Sequence, residues 1–277
     1  MKPLGESDLP VLIRAALLDA LEALSAHRQS VVVIGAQAIY LHTGNTSLAL
    51  AESTKDSDLA LDMRTLADHP LIEQAMLGAR FMLDPSKSQP GAWLSPRGIP
   101  VDLMVPEALA GPSARQRRGA RIPPHDKSAA RRAVGLEAAV VDRGPMTVAA
   151  LAEGDSRSFA ASVAGPASLL VAKLHKLRER QDAPHRLEDK DAHDAYRLLA
   201  AVSTEDLADR MAVLLRDDLA ESVTRQALLY LEDLFASSPA AMGSVMAGRA
   251  EEGIGDPETV AAAVSILAAE LLAALRS

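Results

Sequence analysis

The sequence predicts an α/β domain, a small mixed β-sheet flanked by helices, followed by an all-helical C-terminal bundle, and three observations carry that class. Short strand-like runs at 31–34, 58–62 and 99–105 alternate with helical repeats before residue 165. After Gly165-Pro166 the apolar residues recur only at helical spacing, beginning with Leu169, Leu170, Leu174 and Leu177. The 48 % hydrophobic share rests on Ala, Leu and Val, which suits helices packed closely through small side chains. The change of character places a boundary there, with 1–164 as one domain and 165–277 as the other, and 277 residues suffice for two ordinary domains.

Ser7 or Asp8 can cap a first helix with Pro10 in its opening turn, and Val11, Leu12, Leu17, Leu18, Leu21 and Leu24 continue it towards Ala26. Val31, Val32, Val33 and Ile34 form a buried strand that Gly35 ends, and 36–42 reads as a short helix starting directly from it. A polar loop at 43–54 precedes the alternating run 58–62. A helix at 66–78 follows, then short strands near 80–83 and 92–94, and a strand at 99–105 with Val101, Leu103 and Val105 on one face. The stretch with Pro123-Pro124 reads as a loop, and 136–141 with 146–151 as a hairpin around Arg143-Gly144-Pro145. Helices are expected at 166–181, 187–201, 204–216, 218–236 and 257–275, with a short one near 239–249.

Composition narrows the function. The unbroken apolar stretches fall short of the roughly 18–20 residues of a membrane span, and MKPLGESDLP lacks a charged-then-apolar leader, so a cytoplasmic protein without a membrane partner is expected. The absence of cysteine excludes disulfides, a thiol nucleophile and cysteine-ligated metal. A net charge of −8 with three Phe, three Tyr and one Trp argues against a nucleic-acid coat protein or a base-stacking platform. The charge is nevertheless uneven. Arg115, Arg117, Arg118, Arg121, Lys127, Arg131 and Arg132 stand against Asp126 alone between residues 113 and 132, a local +6 that leaves −14 for the remainder. Such a run is either a solvated loop or a surface for a phosphate backbone, with Arg115, Arg117, Arg118, Arg121 and Lys127 as the nucleic-acid candidates.

The chemistry concentrates at Thr54-Lys55-Asp56-Ser57-Asp58-Leu59-Ala60-Leu61. Carboxylates at i and i+2 of an extended segment share a face while Leu59 and Leu61 take the other. Two like charges so close repel unless a cation lies between them, and hard oxygen ligands favour Mg²⁺ or Mn²⁺. Asp102, between apolar neighbours in Pro100-Val-Asp-Leu-Met-Val105, supplies a third carboxylate. Gly35 at a helix start offers backbone N–H groups and the positive end of a helix dipole to phosphate. A D-x-D alone is more often turn chemistry or a cap. Asp62 lies on the Asp58 face, but at a strand end it is expected as an exposed acid or helix cap.

Strand, glycine at a helix start, D-x-D about twenty residues on and one Asp on a further strand, in that order, resemble the nucleotidyltransferase superfamily typified by DNA polymerase beta. Leu170-Val-Ala-Lys173-Leu-His-Lys-Leu177-Arg-Glu-Arg180, followed by Lys190-Asp191-Ala-His-Asp194, is similar to the K…R…KD-x-x-D pattern of AbiEii/MenT-type nucleotidyltransferase toxins. The resemblance implies a nucleotidyltransferase fold whose helical domain completes the nucleotide cleft. It implies Asp56, Asp58 and Asp102 as ligands of two Mg²⁺ ions, and Lys173, Asp191, Lys55, Gly35 and Ala36 about the nucleoside triphosphate. The activity implied is transfer of a nucleoside monophosphate, with release of pyrophosphate, to an RNA acceptor, the 3′ end of tRNA above all. A cognate antitoxin is the implied protein partner. Ala36 departs from the superfamily's Gly-Gly or Gly-Ser and removes one hydroxyl, worth about 0.5–1.5 kcal/mol as a phosphate hydrogen bond.

Other readings stand beside this one. Lys173, Lys176 and Arg180 lie on one helix face and Asp191 and Asp194 on another, so inter-helix ion pairs would account for all five. His175, His185 and His193 read as surface or packing residues, and Trp93 and Tyr40 as core. A nucleotidyltransferase acting on a cationic small molecule of the aminoglycoside type would have no use for the basic stretch. A nucleotide-binding regulator without turnover would suit Ala36.

Overall fold

The computed structural model describes residues 9–44, 55–87, 89–112 and 119–276. The first helix, α1 (Leu9–Ala23), buries Ile13, Ala16, Leu17 and Ala20 on one side, and its proposed caps Ser7 and Asp8 lie outside the described residues. Strand β1 (Val31–Ile34) is buried on both faces and runs into α2 (Gly35–Thr43). Next come β2 (Ser57–Leu61), α3 (Ile72–Gly78), β3 (Met82–Leu83), β4 (Ala92–Leu94), β5 (Pro100–Pro106), β6 (Arg131–Ala133), β7 (Arg143–Ala149) and β8 (Ser158–Ala164). Six helices complete the chain: α4 (Pro166–Gln181), α5 (Asp189–Ala201), α6 (Thr204–Leu214), α7 (Glu221–Leu231), α8 (Met242–Arg249) and α9 (Pro257–Ala274).

The strands form one eight-stranded mixed sheet in the order β3-β4-β5-β2-β1-β8-β7, with β6 added to β5. β2 is antiparallel to β1 and parallel to β5, and β8 is parallel to β1. The α/β class followed by helices is thus observed. The chain divides into two compact units, the first of residues 1–38, 53–136 and 143–164, the second of 39–52, 137–142 and 165–277. The core of the first is Val31, Val33, Leu59, Leu61, Val101 and Leu103 under Ile13 and Leu17 of α1, with Trp93 at 1 % exposure. Ser57 Oγ donates to the Ile13 carbonyl at 3.2 Å and fixes β2 beneath that helix.

In the second unit Leu169, Leu170, Leu174 and Leu177 of α4 are buried, and α4 packs on α5, α6 and α7. The small-residue packing is visible where a Cβ on Gly248 would lie 2.3 Å from the Pro257 carbonyl. Asp142 organises the start of α4: its carboxylate accepts the Ser168 N–H, its carbonyl accepts the Gly165 N–H, and Arg210 pairs with it at 3.0 Å. By length and composition α9, with a mean hydropathy of 1.5, could cross a membrane, which the contiguous-run criterion passes over; Val260, Val264, Ala268 and Leu271 of this helix are buried inside the unit.

Several expectations are corrected. Residues 136–141 form no strand; the partner of β7 is β8, whose Ser-Phe-Ala-Ala-Ser-Val-Ala sequence alternates too weakly to be read. The helix expected at 66–78 begins only at Ile72, since Pro70 disfavours helical geometry in the residue before it. Arg131 and Arg132, read within a loop, lie on β6. Asp62 is neither exposed nor a cap: it is 1 % exposed and bound by Arg64 through two nitrogens at 2.9 Å and by Arg143 at 3.0 Å. Burial would raise its carboxyl, but the Arg64 hydrogen bonds and the two guanidinium charges hold it below the ordinary range.

His125 is buried with Nδ1 accepting the Ile72 N–H at 3.2 Å and Nε2 donating to the Ala67 carbonyl, while His27 lies edge-on with ring centres 5.8 Å apart. Burial, then the charge of His27, push its pKa below 6.5. The folded state therefore resists protonation where the unfolded chain accepts it, so this contribution is complete above 6.5 and is lost as pH falls below it. His125→Asn is expected to cost about 1 kcal/mol at neutral pH. It should also flatten the fall in urea midpoint between pH 7.5 and 5.5 relative to wild type.

Candidate active site

The strand-to-helix junction is built by glycine. Gly35 has φ +67°, and a Cβ there would lie 2.2 Å from Asp58 Oδ2. Only a residue without a side chain lets the Asp58 carboxylate lie over the opening of α2, where the first backbone N–H groups have no partner within the helix. Ala36, next in the turn, is buried at 5 % exposure.

Pairing of the strands sets the carboxylates. Ile34 is opposite Asp58 across β1 and β2, Asp58 is opposite Asp102 across β2 and β5, and Ala92 is opposite Asp102 across β4 and β5. Residues in one such row project from the same face, so Asp58 and Asp102 are neighbours whose charges repel. Asp56 is half-buried immediately before β2, and Lys55 is exposed beside it. Among the described residues no three Asp, Glu or His side chains already converge on a common point for a metal. The structure brings Asp58 and Asp102 together, with Asp56 at the strand entry.

Asp102 is 5 % exposed and its Oδ1 is buried without a hydrogen-bond partner. Its Oδ2 accepts from Arg131 Nη2 at 3.2 Å, and Lys87 Nζ is 3.8 Å from Oδ1. Oxygen donors of this kind, one of them left open, fit a hard divalent cation. Neither Arg131 nor Lys87 was recognisable from the motif: Arg131 counted only towards the charge of its stretch, and nothing in the sequence ties Lys87 to Asp102. Arg115, Arg117 and Arg118 lie outside the described residues, whereas Arg121 and Lys127 are exposed.

In the helical unit Lys173, 7 % exposed, lies between Asp191 Oδ1 at 2.8 Å and Asp194 Oδ2 at 2.6 Å. Asp191, 1 % exposed, also takes Lys176 at 2.9 Å and Arg180 at 2.8 Å. Inter-helix ion pairing of these five residues is therefore observed. Burial works against the Lys173 ammonium, but Asp191 and Asp194 outweigh it and hold its pKa above the ordinary lysine range. Burial likewise opposes the Asp191 carboxylate, and Lys173 and Lys176 hold it well below the usual range. Tyr40 is half-buried against the Arg197 guanidinium, 5.2 Å from the ring centre, and burial with the Asp194 charge raises its phenol. His175 Nε2 donates to the Val223 carbonyl at 2.8 Å, and His193 Nε2 pairs with Glu251 Oε1 at 2.8 Å.

Gly35→Ala is expected to cost about 1–3 kcal/mol in chemical unfolding, through the forced left-handed backbone and the clash with Asp58. Asp191→Ala should cost about 3–5 kcal/mol in the same measurement, because Lys173 is left buried with half of its compensation removed.

A family model described as nucleotidyltransferase matches residues 13–218, most of the chain, from within α1 to beyond the end of α6. No curated protein and no solved structure matches it. The match spans both the Gly35 junction and the paired carboxylates as well as Lys173 and Asp191, and the chain belongs to the nucleotidyltransferase family.

Proposed function

We propose that this protein transfers a nucleoside monophosphate from a nucleoside triphosphate to a hydroxyl of RNA in a Mg²⁺-dependent reaction, with the 3′ end of tRNA as acceptor, and that it acts as the growth-arresting toxin of a pair whose antitoxin is a separate protein. The observation that carries the transferase part is the row of Gly35 junction, Asp58 and Asp102 in a chain of this family. The RNA acceptor is supported by the basic stretch, of which Arg121 and Lys127 are exposed.

In this reading Asp58 and Asp102, with Asp56 at the strand entry, hold the divalent ions. Bound there, such ions supply charge neutralisation at the phosphates and ease loss of the acceptor proton. The first N–H groups of α2, at Gly35 and Ala36, would donate to phosphate oxygens, helped by Lys55. By the family resemblance Asp102, on β5, would be the carboxylate near which the acceptor hydroxyl loses its proton. Lys173 and Asp191 remain proposed nucleotide-binding residues, and a phosphate reaching Lys173 would share it with Asp191 and Asp194. Positioning and charge compensation supply most of the rate, as phosphoryl chemistry demands.

The purified protein should label tRNA when incubated with Mg²⁺ and one of four α-labelled nucleoside triphosphates. Asp58→Ala should reduce labelling about 100-fold or more. Label on a small cationic acceptor instead of RNA would replace the acceptor in this reading, and triphosphate binding with no label on any acceptor would replace the enzyme by a binding module.

A further inference from the structure

Two arginine–aspartate pairs in the sheet unit differ in a telling way. Arg64 closes on Asp62 through two nitrogens, each 2.9 Å from a different oxygen, as a settled structural pair does. Arg131 meets Asp102 through Nη2 alone, at 3.2 Å. Both partners of that second pair keep a buried polar atom without a hydrogen bond, Oδ1 on Asp102 and Nε on Arg131. Lys87 adds a second positive charge at 3.8 Å, beyond hydrogen-bond range. Such an incomplete pairing is costly in a buried place and calls for a reason.

The backbone fixes this arrangement. Arg131 pairs with Met104 of β5 and bridges to Gly119, and a Cβ on Gly91 would lie 2.7 Å from the Arg131 nitrogen. Trp93 Nε1 donates to the Ala129 carbonyl and holds the same segment. Arg131 is thus delivered to Asp102 by β6, with its side chain 23 % exposed and that of Lys87 37 %. On its other side Asp102 has Asp58 in register, so these two cations stand beside a pair of neighbouring carboxylates.

We propose that Arg131 and Lys87 are positioning residues that act as exchangeable counter-ions of Asp102: they hold its carboxylate aimed before a divalent cation arrives, and they yield it to that cation. The proposal rests on the reading of Asp58 and Asp102 as the cation-holding pair. Its consequence is that the chain's own cations set the affinity for the divalent ion, because every ion bound must displace or share their hold on Asp102. A purely structural Arg131 would do the opposite, since its loss would disorder Asp102 and weaken the ion.

The test is a Mn²⁺ titration of the full-length protein without nucleotide, followed by the paramagnetic signal of free Mn²⁺, on wild type, Arg131→Gln, Lys87→Gln and Asp102→Asn. Arg131→Gln should bind Mn²⁺ about tenfold more tightly. Lys87→Gln, which loses a charge but no hydrogen bond, should tighten it about two- to threefold; being half exposed, it keeps the test open should the arginine variant fail to fold. Asp102→Asn should weaken binding. Unchanged or weaker Mn²⁺ binding in the folded Arg131 and Lys87 variants, with wild type binding normally, overturns the counter-ion role alone. Absence of Mn²⁺ binding by wild type overturns the carboxylate-pair reading as well.

Discussion

Two like charges held side by side are the constraint from which the rest of the sheet unit follows. Asp58 and Asp102 are in register on parallel strands, so their side chains project from the same face of the sheet as neighbours. The surroundings answer that constraint on every side. Gly35 gives up its side chain so that the Asp58 carboxylate can lie against the opening of α2. Arg131 and Lys87 stand at Asp102, and Gly91 and Trp93 clasp the backbone that carries Arg131. Repulsion of this kind is tolerated in a folded protein where it serves chemistry, because a stability-driven design would replace one carboxylate by an apolar residue.

The helical unit solves a related problem by the opposite route. There the charges are buried and closed: Lys173 is enclosed by Asp191 and Asp194, and Asp191 gathers three cations. Such a cluster is rigid and leaves α4 and α5 in a defined relation. The sheet's pair meets through a single hydrogen bond, whereas in the helical cluster Lys173 reaches two carboxylates and Asp191 three cations.

Much of this was legible in the residues. The run Val31 to Ile34 followed by Gly35 announces a buried strand ending in a turn, and the alternation of 58–62 announces its neighbour, because period two and period 3.6 differ plainly when apolar residues are dense. The helices after residue 165 were legible for the same reason. Strand β8 was not: in Ser158–Ala164 small residues occupy both faces, and its place is decided by pairing with β1 and β7 rather than by pattern. Arg131 was illegible as a partner of Asp102 because its contact depends on β6 adding to β5, and Lys87 because it comes from the β3–β4 connection that pairing of β4 with β5 brings alongside; local sequence encodes neither long-range pairing. The ion pairs of Lys173, Lys176 and Arg180 were open to reading from helical spacing, though spacing alone left their use undecided.

Synthesis of the chain gives the interleaving of the two units a temporal meaning. The last part of α2, from Ile39, is counted with the helices that begin at Gly165, and Thr43 Oγ1 accepts from Arg197 across 154 residues of sequence. As the chain leaves the ribosome, that turn of helix emerges long before α5 exists to receive it. The sheet unit, by contrast, has all of its segments once Ala164 has emerged. Its strands can pair while the later helices are still being made, and Thr43 meets its arginine only after α5 has been translated.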